Sequence, residues 1–74
     1  MKTLFAVHNT FDCPDYNEHF YFTSFAEAEE RFNEIKNYME EHERIVEVYS
    51  DVPTHFYVQL KDGMHAIYIE EINL

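Results

Sequence analysis

Seventy-four residues with 15 Asp and Glu against 5 Lys and Arg, a formal net charge of −10, make one domain spanning 1–74. A hydrophobic fraction of 46%, with seven Phe and six Tyr, excludes a disordered chain. The acidity disfavours direct binding to DNA, RNA or an anionic membrane, and the single cysteine, Cys13, excludes an internal disulfide framework.

The chain opens with an apolar run from Leu4 to Val7, shorter than a secretory signal requires. No run approaches the ~18 apolar residues of a membrane span, and a lone cysteine fits a reducing compartment, so a cytoplasmic protein is expected. Thr3 to His8 reads as a first strand. Thr10 to Glu18 is a polar loop containing Cys13-Pro14-Asp15. His19 to Thr23 sets Phe20 and Phe22 against His19 and Tyr21, the alternation of a second strand.

Ser24-Phe25-Ala26-Glu27 is a capping box, in which the serine hydroxyl accepts the Glu27 amide and the glutamate reaches back to the Ser24 amide. Phe25, Ala28, Phe32, Ile35 and Met39 then fall in one stripe, predicting a core-facing helix to about Glu41 or His42. Glu27 with Arg31, and Glu40 with Arg44, have the favourable i,i+4 order.

Ile45 to Ser50 is β-branched and alternating, a third strand with Val46 and Val48 on one face and Ile45, Glu47 and Tyr49 on the other. Asp51-Val52-Pro53 breaks it. Asp62-Gly63 is the two-residue signal of a type I′ hairpin. Folding there sets Leu60 opposite His65, Val58 opposite Ile67, Tyr57 opposite Tyr68 and Phe56 opposite Ile69. One face of the hairpin is then Phe56, Val58, Leu60, Ile67 and Ile69, and the other is His55, Tyr57, Gln59, Ala66 and Tyr68.

The order ββαβββ predicts an α+β two-layer sandwich: an antiparallel sheet of about five strands with one amphipathic helix on one face. A helix of roughly 18 residues, ~27 Å long, covers one side of such a sheet and nothing remains for the other. The uncovered side is expected to hold Tyr21, Tyr49, Tyr57 and Tyr68 with Ile45, His19 and His55. Leu4, Ala6 and His8 join them if Phe5 and Val7 point inward.

Two surfaces carry functional expectations. Tyrosine joins a large apolar body to a polar tip, so the tyrosine face with Ile45 reads as a protein-binding or self-association surface. The bland alternative is a solvated sheet face built of good strand formers. Glu27, Glu30, Glu34 and Glu41 form an acidic ridge opposite the core stripe, with a rise of ~6 Å per step that approximates phosphate spacing. Such a ridge fits the cationic groove of a nucleic-acid-binding protein, or is simply a solvated helix face.

No catalytic, cofactor or metal site is expected. The Asp12-to-His19 loop matches no metal pattern and mixes hard carboxylates with a soft thiolate. No motif pairs Cys13 with a particular histidine, and Gly63, the lone glycine, leaves no phosphate loop. His65 is expected to be a partly buried structural residue.

In size, acidity and one-helix-on-sheet plan, the chain resembles the small acidic proteins that phages and mobile elements use against host nucleic-acid enzymes. The likeness is one of type, and no site residue follows from it. The expected function is therefore a non-enzymatic protein-binding module. It would be an inhibitor or nucleic-acid mimic blocking a cationic surface on a nucleic-acid-processing partner. The alternative is a homodimer packed through its tyrosine faces.

Overall fold

The computed structural model describes residues 2–12, 17–61 and 63–74. Alternating apolar side chains build β1 (Thr3–Phe11), β2 (Glu18–Phe22), β3 (Ile45–Val52), β4 (His55–Leu60) and β5 (Gly63–Asn73), with helix α1 (Phe25–His42) between β2 and β3. The strands form one antiparallel sheet in the order β2-β1-β5-β4-β3, so the first and last strands pair at its centre. This is the α+β, ββαβββ plan that the sequence predicts.

Helix α1 starts where expected, with the Ser24 hydroxyl accepting the Glu27 amide at 3.2 Å. It ends as Glu43 donates its amide to the Met39 carbonyl at 2.9 Å. Arg44 lies beyond that end, so the helical pairing with Glu40 does not arise. Arg31 turns to Glu34, 3.8 Å away, and lies over the Phe20 ring. Ala28, Phe32 and Met39 of the helix are buried against Val7, Phe56, Val58 and Ile67 of the sheet. Phe25, at the start of the stripe, is half-exposed and packs edge-on to Phe5.

The connection from β2 to β3 runs from one sheet edge to the other, so α1 crosses over β2, β1 and β5. Among the described residues, the opposite sheet face carries no helix. The Cα extents of 42 × 23 × 18 Å match one sheet plus one helix layer. Among the described residues, no helix is long and apolar enough to cross a membrane.

Three expectations are corrected. Thr10 and Phe11 continue β1 rather than opening the loop; Thr10 donates its hydroxyl to the Ala66 carbonyl at 3.1 Å. Cys13 to Tyr16, expected in that loop, lie outside the described residues, as does Asp62.

The hairpin register is displaced by two residues. Leu60 pairs with Gly63, Val58 with His65, Phe56 with Ile67 and His55 with Tyr68, so Tyr57 faces Ala66 instead of Tyr68. Gly63 opens β5 instead of closing the turn. Its φ is +150°, and a Cβ there would lie 2.9 Å from Asp12 Oδ2. The same carboxylate oxygen accepts the Met64 amide at 2.9 Å, fixing the start of β5 against the end of β1. A two-residue displacement keeps each side chain on its expected face.

Ile45 is the third correction. It pairs with Leu60 and packs against the core on the helix side. The register of β3 shifts twice, between Ile45 and Glu47 and between Val48 and Ser50, leaving Val46 and Tyr49 as the extra residues. Each bulge sets two residues against one and breaks the alternation that would have kept Ile45 with Glu47 and Tyr49.

Candidate functional site: the uncovered sheet face

Alternation along each strand decides what the bare face carries. His19 pairs with His8, His8 with Tyr68, and Tyr68 with His55, so one line of rungs crosses β2, β1, β5 and β4. Ring centroids lie 4.9 Å apart for His19 and His8, 4.8 Å for His8 and Tyr68, and 6.1 Å for His55 and Tyr68. The line continues through Tyr57, 6.2 Å from His55, to Tyr49, 5.4 Å from Tyr57. Six rings thus form a continuous row over all five strands.

The expected tyrosines share this face. Tyr49, Tyr57 and Tyr68 belong to the row, and Tyr21 stands beside it opposite Ala6. Tyr21 is 59% exposed and Tyr49 50%, whereas Tyr57 and Tyr68 are half-buried by their neighbours. Hydrogen bonds hold the row in place. The Tyr49 hydroxyl donates to Gln59 Oε1 at 2.7 Å, and His55 Nδ1 meets the Ser50 hydroxyl at 2.9 Å. His8 Nε2 lies 2.9 Å from Glu70 Oε1. Partial desolvation and the Glu47 carboxylate raise the Tyr49 phenol above its ordinary value.

Among the described residues, Glu47 and Glu70 are the carboxylates at the paired positions of this face. Among the described residues, no Lys or Arg occupies one of its paired rungs. The face therefore combines aromatic π surface with negative charge.

The acidic ridge lies on the other side of the molecule. Glu27, Glu30, Glu34 and Glu41 are all exposed on α1. Glu27, Glu30 and Glu34 gather with Arg31 and Phe22 around a shallow depression of about 180 Å³. Glu41 stands apart, 3.8 Å from His42. Helix and sheet are separate layers, so one flat partner surface cannot touch both the ridge and the aromatic row.

A second polar cluster sits between the layers. His65 is 2% exposed, with Nδ1 2.8 Å from Glu43 Oε2 and Nε2 bonded to Asn9 Oδ1. Asn9 in turn donates to Glu18 Oε1 at 3.2 Å, and the Phe11 ring stacks on the imidazole. These residues floor a cavity of about 290 Å³ walled by Ile35, Tyr38 and Met39. The sequence signals a structural role for His65, but its burial and partners come from packing between residues far apart in the chain. Both ring nitrogens of His65 are thus engaged by side chains of this chain.

Comparisons with known protein families, with curated proteins and with solved structures find no match to this chain.

Proposed function

We propose that the protein is a small acidic, non-enzymatic binding module that docks a basic protein surface through its uncovered sheet face. The observation that supports this reading is the continuous aromatic row, open on one side and accompanied by carboxylates. Aromatic faces attract guanidinium and ammonium groups, and Tyr combines contact area with few rotatable bonds. A net charge of −10 steers a cationic partner toward the molecule from a distance.

The helix ridge adds to that field without sharing the contact. Partners whose basic surfaces ordinarily meet nucleic acid have the matching charge, which makes an inhibitor of such a protein the specific form of the proposal. The cytoplasm is its proposed setting. Self-association through the same face is the competing reading, and repulsion between two highly acidic copies opposes it.

The test is affinity capture with the native chain, followed by binding measurements on the captured basic protein. Tyr57→Ser with Tyr68→Ser is expected to weaken binding strongly. Glu30→Gln with Glu34→Gln and Glu41→Gln is expected to slow association and flatten its salt dependence. Unchanged affinity in the tyrosine variant, or a stable dimer at low micromolar concentration, would contradict the proposal.

A further inference from the structure

We infer that His8 and His19 form a binding site for a borderline transition-metal dication, of which Zn²⁺ is the representative, on the uncovered sheet face. The two residues are directly opposite in the β1–β2 ladder, and their Nδ1 atoms face each other at 2.7 Å. Only one proton fits between them, so one nitrogen must present a lone pair to the other.

Glu70 identifies which nitrogen that is. Its carboxylate oxygen, an acceptor, lies 2.9 Å from His8 Nε2; in the neutral ring that nitrogen carries the proton and Nδ1 is left bare. A carboxylate on the far nitrogen is the arrangement that orients imidazoles toward metals and strengthens them as ligands. His8 is further held by the Tyr68 ring, and its side chain is 12% exposed. His19 is exposed and free to adjust. One ligand is thus preorganised and the other can move to meet the ion.

The geometry needs little change. Two Zn–N bonds of ~2.0–2.1 Å at a tetrahedral angle separate their nitrogens by roughly 3.3 Å, an opening of about half an ångström here. Imidazole nitrogens select Zn²⁺, Ni²⁺ or Cu²⁺ over the hard ions that prefer oxygen. Among the described residues, no group of three or more His, Cys, Asp or Glu could hold a metal ion. The ion would therefore take two ligands from this chain and keep two positions open to water or to another molecule's donors. The sequence expectation of no metal weighed only ligands that are close neighbours in the Asp12–His19 loop. This pair is joined by strand pairing.

The site stands independently of the docking proposal and is tested on the isolated protein with zinc chloride. Calorimetric titration is expected to show saturable binding, with one ion per chain or per two chains. Affinity should fall at least tenfold in His19→Gln, and by the 10–100-fold typical of a lost carboxylate partner in Glu70→Gln. His42→Gln, at an exposed histidine on the helix, should bind like the native chain. Long-range proton–nitrogen spectra should place the ion on Nδ1 of both rings. No binding up to about 1 mM zinc (a Kd too weak to matter), equal affinity in His19→Gln, or an equal loss in His42→Gln would overturn the assignment.

Discussion

His55 stands directly across from Tyr68, with ring centroids 6.1 Å apart, and its Nδ1 meets the Ser50 hydroxyl on β3 at 2.9 Å. That single imidazole joins three strands and fills the gap between Tyr68 and Tyr57. Replacing it by alanine should leave the circular dichroism spectrum unchanged. Partner affinity should weaken on the order of 1 kcal/mol, the scale of one aromatic pair. An unaltered affinity would mean that the row does not act as one surface.

Gly63 combines positive φ with close approach to Asp12. Gly63→Ala should destabilise by about 1–3 kcal/mol, because the methyl group meets both a strained backbone and the carboxylate. Asp12→Ala in the same chain should recover at most part of the loss, since the backbone strain remains and the Met64 amide loses its acceptor. Urea unfolding of the two variants measures this, and a neutral Gly63→Ala would show that β5 can begin elsewhere.

The His65 cluster should be the most costly polar feature to break. Glu43 Oε2 and Asn9 Oδ1 each face one ring nitrogen of His65, and the Asn9 amide is oriented by its donation to Glu18, so four side chains form one connected network. His65→Leu should destabilise by about 2–3 kcal/mol. That is below the cost of breaking a fully buried pair, because the Glu43 side chain is partly exposed. Adding Glu43→Gln should cost less than the sum of the two single changes. Additive losses in a denaturant-monitored double-mutant cycle would deny the coupling.

Tyr49 supplies a pH dependence. Partial desolvation and Glu47 raise its folded value, so the fold favours the neutral phenol. The resulting stabilisation is fully present below the ordinary tyrosine range near pH ~10 and is lost as pH rises through the Tyr49 value. Phenolate absorbance should show a late-titrating component that disappears in Tyr49→Phe. A titration curve of unchanged shape in that variant would contradict the assignment.

What the sequence made legible was local. Ser24 and Glu27 mark the helix start, the stripe through Phe32 and Met39 marks its buried face, and period-two alternation sorts Phe56 from Tyr57. Those signals depend on neighbours within a turn or a strand. The misplacement of Ile45 came from two bulges that no alternation pattern announces. The His55–Tyr68 pairing depended on where the hairpin closes, which Asp12, fifty residues upstream, helps decide. His8 and His19 came together only once the strand order was fixed. The aromatic face was therefore readable as a composition, but its contiguity was not.

The most direct test of the docking proposal is a titration of the protein, carrying carbon-13-labelled tyrosine, with an arginine-rich peptide. Tyr49, Tyr57 and Tyr68 should shift together and saturably. Tyr38, 61% exposed on the helix side, should stay in place and serve as the internal control. A shift at Tyr38 with the sheet tyrosines silent would assign recognition to the helix and its carboxylates, and would contradict docking through the sheet.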